Sequence, residues 1–330
     1  MTVDLAVTDF TAAPAATQGA LPRPYGEALV ELARQRPEVV CIGADLSGAT
    51  ETDLFRDTLP DRFVNIGIAE ANMVGAAAGM ARAGDMPFIH SFSVFVTRRC
   101  YDQIAMQVAY PRTNVKIVGF LPGLTTLLGV THQAIDDVAL MRALPNMTII
   151  EPGDPGQIRD AVREAAAIRG PVYLRMRRPE AWETAGTAGP ADLSGGSPHL
   201  LRDGDEGAIL AAGLIVPVAL QAADALAARG RRVAVANVHR LKPLDTGFVA
   251  DLARRCGSVV TAENHSVIGG LGSAVAEALM ESGVHAGFAR VGLQDCFAQG
   301  GSTPYLFKTY GLSVEGILAA LEKADARRDG

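Results

Sequence analysis

No stretch of about 18 consecutive apolar residues occurs in the 330-residue chain, so no membrane-spanning helix is expected. A basic excess is missing too. Thirty Lys and Arg against 36 Asp and Glu leave a net charge of −6 and a pI near 5.6, which argues against nucleic acid or an anionic membrane as the main partner. Cysteine is scarce: Cys41, Cys100, Cys256 and Cys296 lie far apart, without the Cys-x-x-Cys spacing of a zinc site or redox pair. They read as buried thiols of a cytoplasmic protein, and no metal ligands are expected on this chain. Residues 1–20 lack the basic start and compact apolar block of a secretory signal and read as a loose Ala/Thr/Pro arm. There is no fixed-period repeat, no Gly-x-Gly-x-x-Gly and no Walker-type Gly-Lys-Thr.

What the chain does have is 48% hydrophobic and 20% charged residues, the balance of a globular protein long enough for two cores. Short apolar runs at 38–43, 63–66, 87–90, 115–120, 148–151 and 172–175 alternate with helical patterns at about 70–83, 94–109, 136–142 and 155–168. Strands that alternate with helices predict a mostly parallel sheet covered on both faces. Residues 181–205 collapse into Gly, Pro, Ser and Thr and read as a linker. The alternation then resumes, with strands expected at 207–212, 232–237, 258–262 and 287–291. The fold class is therefore α/β with two doubly wound domains, at 21–180 and 206–330.

Ligands of such sheets bind beyond the carboxyl ends of the strands. Several chemistry-bearing residues are expected there. Glu70 sits where a strand gives way to a helix containing Gly75-Ala-Ala-Ala-Gly79. It reads either as an acid that compensates the helix N-terminus or as a group aimed at a ligand, since a helix of such small side chains lets a backbone or flat ring approach. Phe92 and Phe95 are either core or an aromatic face for a ring, because Ser91, Ser93, Thr97, Arg98 and Arg99 surround them. His132 ends an apolar loop and is placed to exchange a proton with a substrate hydroxyl. Arg175 and Arg178 end a buried strand and suit a phosphate, and Arg23 is a further basic candidate of that kind. The turn at Glu263-Asn-His-Ser-Val-Ile-Gly-Gly-Leu-Gly is expected to position a helix, at an interface.

Four motifs resemble the C-terminal portion of transketolase: Gly43-Ala-Asp-Leu-Ser, Asn65-Ile-Gly-Ile-Ala-Glu-Ala-Asn, Thr131-His-Gln-Ala-Ile-Asp-Asp-Val-Ala-Leu-Met-Arg and the Glu263 turn, in that order across residues 21–325. The resemblance implies thiamine diphosphate as cofactor and ketol transfer between (phospho)sugars as activity. It implies that Glu70 bonds N1′ of the aminopyrimidine and favours the imino tautomer that takes the thiazolium C2 proton. Asp45, Ile68, Phe92, Phe95 and Arg98 would line the cofactor. His132 would face the substrate, and Arg23 and Arg178 would hold its phosphate. Two positions depart from the family: Leu128-Gly129 stands where Asp-Gly is common, and Arg98 where a tyrosine is.

The family holds Mg²⁺ and the diphosphate with Gly-Asp-Gly and an Asn about 30 residues later, oxygen ligands suited to a hard cation. Neither is present. The resemblance thus implies a split enzyme in which a partner subunit carries the diphosphate domain and the Mg²⁺ ligands, with this chain also a homodimer inside an α2β2 assembly. The alternatives are the beta subunit of a 2-oxoacid dehydrogenase decarboxylase component and a non-catalytic scaffold. Deoxyxylulose-phosphate synthase is disfavoured because it normally carries all three domains in one chain.

Overall fold

In the computed structural model, which describes residues 23–177 and 192–329, the apolar runs of the first half become six parallel strands. They are β1 (Val39–Gly43), β2 (Phe63–Asn65), β3 (Met86–Phe92), β4 (Lys116–Phe120), β5 (Thr148–Ile150) and β6 (Val172–Met176). In β1, β3, β4 and β6 every residue is buried, the mark of strands with helices on both faces. The second half contributes β7 (His199–Arg202), β8 (Ala208–Ala211), β9 (Ala234–Asn237), β10 (Arg240–Lys242), β11 (Ser258–Ser266) and β12 (Gly287–Leu293). One sheet runs β10-β5-β6-β4-β3-β1-β2 and the other β12-β11-β8-β9-β7.

Three features depart from the sequence reading. The end of the stretch read as linker is β7, an antiparallel edge strand on β9 that is only half-buried and so carries no apolar run. β10 belongs to the first sheet although it lies in the second half of the chain, pairing antiparallel with β5. Only Leu241 of its three residues is buried and Pro243 follows, which hides it from a strand search. The helix expected at 94–109 is broken into Ser93–Arg98, Tyr101–Gln103 and a π-turn at Ile104–Ala109. The Thr97 hydroxyl and Cys100 thiol donate to the carbonyls of Ser93 (2.6 Å) and Val96 (3.0 Å), side-chain back-bonds that bend a helix.

The two halves share one hydrophobic core: Val40, Ile42 and Ile89 belong to the same cluster as Leu210, Ala236, Leu241 and Val275. Polar contacts add to it. Lys242 Nζ caps the helix Asp137–Ala143 through the carbonyls of Arg142 (2.7 Å) and Leu144 (2.5 Å). Among the described residues no helix is long and apolar enough to cross a membrane.

His90, in the middle of β3, is fully buried. The Ile42 carbonyl, 3.0 Å from Nδ1, can only accept, so the proton sits on Nδ1 and Nε2 accepts from the Tyr25 hydroxyl at 2.5 Å. Burial drives the imidazole down to about 4, against the opposing bond to Ile42. Burial shifts His239 to about 4 as well. An unfolded histidine protonates near pH 6.5, so between there and about 4 the unfolded chain binds more protons and stability falls as pH falls. His90 alone is expected to contribute about 3 kcal/mol of this loss. Urea midpoints recorded from pH 7 to 4 check it, and a flat profile would contradict the neutral buried pair.

Candidate active site

The strand order reverses between β1 and β3, where the chain leaves β1 outward to β2 and returns on the other side. Such a reversal opens a crevice at the carboxyl ends of the strands. Asp45 follows β1, Asn65 ends β2, Glu70 opens the helix Glu70–Ala83, Ser91 and Phe92 end β3, and His132 lies in the segment after β4.

Glu70 is only 1% exposed. Its position at the helix start predicts bonds to the first backbone N–H groups, yet among the described residues its partners are side chains. Ser91 Oγ donates to Oε1 at 3.2 Å, and Arg99 Nη1 donates to Oε1 and Oε2 at 3.1 and 2.9 Å. The carboxylate is turned toward the end of β3, away from the helix it opens. Compensation of the helix dipole does not explain that direction. The small residues of this helix have mundane surroundings: a Cβ on Gly75 would lie 3.2 Å from the Gln107 side chain, and one on Gly79 would meet nothing.

Beside Glu70 stands an aromatic wall. The Phe92 and Phe95 ring centroids are 5.9 Å apart, and the His132 ring meets both edge-on, at 6.2 and 5.1 Å. The Thr131 hydroxyl lies 2.9 Å from His132 Nδ1, and among the described residues Nε2 has no hydrogen-bond partner. The sequence reading of Glu70, Phe92, Phe95 and His132 as neighbours is thus met by one contiguous patch.

Other candidates fall differently. Arg98, read as a cofactor contact, forks onto Asp136 at 2.8 and 2.9 Å and donates to the Gln133 carbonyl at 3.3 Å, so it holds the His132 segment in place. Arg175 was read as a phosphate ligand, and the structure contradicts this. Its side chain is 1% exposed and bonded to Asp137 (2.8 Å), Glu151 (2.7 Å) and the Asn264 carbonyl (2.9 Å), so its charge is already matched by two buried carboxylates. Arg23 pairs with Asp53. Asp45 is exposed and exchanges two hydrogen bonds with Asn65, at 3.1 and 3.3 Å. Ile68 is 75% exposed and open to a ligand or partner. Arg178 lies outside the described residues.

The sequence reading missed Arg99 and Asn264 as parts of the site. Arg99 had a signal: it stands four residues after Phe95, one helical turn, and its guanidinium lies 4.1 Å over the Phe95 ring. Asn264 comes from β11 in the other sheet, so its role was invisible in the linear order. Its Nδ2 donates to the Pro122 carbonyl (3.2 Å) and its Oδ1 accepts from the Leu124 amide (2.9 Å). Gly123 between them has φ +59°, and a Cβ there would sit 2.3 Å from the Asn264 carbonyl oxygen. Gln133 Nε2 bonds the Gln299 carbonyl at 2.9 Å, and the Ser266 amide bonds the Ile135 carbonyl at 2.8 Å. The second half therefore clamps both ends of the segment that carries His132. Asn264→Ala leaves the buried Leu124 N–H unpaired and the Pro122 carbonyl with the Thr125 hydroxyl at 2.8 Å, and is expected to cost about 1–3 kcal/mol. Faster amide exchange across residues 122–134, together with a lower urea midpoint, is the measurement; unchanged exchange there would refute the clamp.

A buried carboxylate beside an aromatic wall, at a strand-order reversal, is where an α/β protein of two sheets would take a ligand. The comparisons then make the class specific. The transketolase pyrimidine-binding domain profile matches residues 20–182 and the transketolase C-terminal domain profile residues 196–317. The chain belongs to the transketolase family. It is 43% identical over 306 residues to the 6-deoxy-6-sulfo-D-fructose transketolase subunit of Clostridium sp. (strain MSTE9), covering 92% of this chain and 94% of that one. It superposes with a TM-score of 0.85 at 42% identity on a split-gene transketolase solved as an inactive β4 tetramer, over 93% of this chain and 98% of that one. It is also 38% identical to a 1-deoxy-D-xylulose-5-phosphate synthase of Thermomicrobium roseum, but over 47% of that protein's length. The chain is thus a homologue of split transketolase subunits.

Proposed function

We propose that this chain is the pyrimidine-binding and C-terminal half of a split transketolase, which transfers a two-carbon ketol unit between (phospho)sugars with thiamine diphosphate. The observation that carries the reading is the Glu70 carboxylate, 1% exposed, hydrogen-bonded by the Ser91 hydroxyl and paired with a guanidinium that lies on the Phe95 face. A flat nitrogen-bearing ring fits that place: an aromatic face to stack on and a desolvated carboxylate at its edge. When bound, thiamine diphosphate supplies the carbon nucleophile that carries the two-carbon unit. Glu70 holds a proton at the ring N1′. Phe92 and Phe95 orient the ring and exclude water from it. His132 exchanges a proton with a sugar hydroxyl.

The sequence lacks the family's Gly-Asp-Gly and later Asn, so the proposal puts the Mg²⁺ and diphosphate ligands on a partner subunit in an α2β2 assembly. The solved relative described as an inactive β4 tetramer supports a need for such a partner. Cys41, Cys100 and Cys256 are buried as expected, Cys296 is exposed instead, and all four are free, which suits the cytoplasm proposed for the chain.

The test is reconstitution with a diphosphate-binding partner, followed by product analysis with ketose donors with and without an anionic tail. Full activity of this chain alone would sink the split-site claim. A second reading, synthase-like chemistry with a 2-oxoacid donor, is favoured by the 38% identity to deoxyxylulose-phosphate synthase. Turnover of pyruvate with no ketose turnover would establish it in place of the first.

A further inference from the structure

Arg99 has no role in the reading above, yet it occupies the centre of the site. Its hydrogen bonds go to both oxygens of Glu70, its guanidinium carbon is 4.1 Å from the Phe95 centroid, and its side chain is 47% exposed. A guanidinium is flat, stacks on aromatic faces and presents a row of N–H donors along its edge. An aminopyrimidine is flat too, and its N1′ presents one N–H donor to a carboxylate when it carries a proton, the amino group lying across the ring. The two are therefore alternative occupants of one carboxylate and one ring face.

Resting on the function proposed above, we infer that Arg99 is an internal stand-in for the cofactor ring, which must displace it to reach Glu70, so that Arg99 sets how tightly the cofactor is held. In the cofactor-free chain it compensates a carboxylate that would otherwise be buried with the Ser91 hydroxyl and no counter-charge. The exit is short: the side chain is half in solvent and, among the described residues, hydrogen-bonded to Glu70 alone. While the guanidinium is in place the carboxylate is held by a cation and does not share a proton with a ring nitrogen. Departure of Arg99 is thus a requirement of the site as well as of binding.

The experiment is calorimetric titration of thiamine diphosphate with Mg²⁺ into the complex of this chain with its diphosphate-binding partner, for wild type, Arg99→Ala and Arg99→Lys. A half-exposed ion pair and one cation–π contact are together worth roughly tenfold in affinity, so the alanine variant is expected to bind about tenfold more tightly. Lysine, which keeps the charge but not the flat fork, is expected to fall between. The free chain gives a second readout without cofactor. Arg99→Ala should lower its melting temperature, and adding Glu70→Gln should remove that difference. Unchanged or weaker cofactor binding by Arg99→Ala, with wild type binding normally, overturns the stand-in and leaves the proposed function standing. Absence of binding in wild type and variant alike overturns both.

Discussion

Glu70→Ala in the assembled enzyme is expected to abolish ketol transfer while the protein stays folded. Ordinary acid–base assistance by a side chain is worth about 10²- to 10⁴-fold. The loss at Glu70 should exceed that range, because under the proposed function Glu70 would hold the N1′ proton on which the cofactor's reactivity would depend. Folding should survive for a reason visible in the structure: the group removed is a buried charge, and the partner it leaves behind, Arg99, has a side chain 47% exposed and can turn to water. Glu70→Gln is the sharper variant. It keeps the size of the side chain and an oxygen for Ser91, whose hydroxyl lies 3.2 Å from Oε1, but it does not hold a proton at the ring as an acid does. Turnover at saturating cofactor, measured beside the melting temperature, decides. Glutamine activity within tenfold of wild type would refute the assignment, and collapse of the fold in both variants would make Glu70 structural.

Much of this arrangement was legible from residue order because the periodicities are local. Buried parallel strands write themselves as continuous apolar runs, and β1, β3, β4 and β6 fall where those runs predict. Glu70, Phe92, Phe95 and His132 all follow strand ends, so the topology alone brings them together. Two kinds of feature were hidden. β7 and β10 are edge strands that bury little, and a half-solvated edge needs no apolar run. The side-chain partnerships of arginine were hidden as well, because Arg23, Arg98, Arg99 and Arg175 look alike in sequence. What separates them is which carboxylate the fold sets opposite each: Asp53, Asp136, Glu70, or Asp137 with Glu151. A basic residue at a strand end reads as an anion site only until an acid from a distant segment is found on it.

Arg175→Ala is expected to be among the most damaging single substitutions in the chain, although it touches no ligand. Its guanidinium lies between Asp137 and Glu151, all three side chains no more than 7% exposed, and it also donates to the Asn264 carbonyl that crosses from the other sheet. Tyr173 adds a hydroxyl to Asp137 at 2.7 Å, and His265 lies 3.8 Å from the same carboxylate. One cation thus serves two buried acids at the junction of the two halves. Burial pushes the Asp137 carboxyl up, but the charge and hydrogen bonds of Arg175, with His265 and Tyr173 behind them, outweigh burial and hold it below the usual carboxylate range. For Glu151 burial wins, and its pKa is raised. Removing the cation strands both acids away from water, and breaking such a pair from one side costs about 3–5 kcal/mol. Arg175→Lys should recover only part of this, since a single ammonium does not span two carboxylates and a carbonyl. The pH dependence carries a sign. A lowered folded pKa at Asp137 contributes stability that is present above the unfolded value and lost as pH falls through the folded one, so wild type should weaken on that limb. In Arg175→Ala burial acts on Asp137 without its main opponent, the carboxyl pKa rises, and acidification should then relieve the strain. The urea midpoint of the variant is therefore expected to sit far below wild type at neutral pH and to converge on it toward pH 4. A midpoint difference that is small, or constant across that range, would show that the network does not hold the halves together.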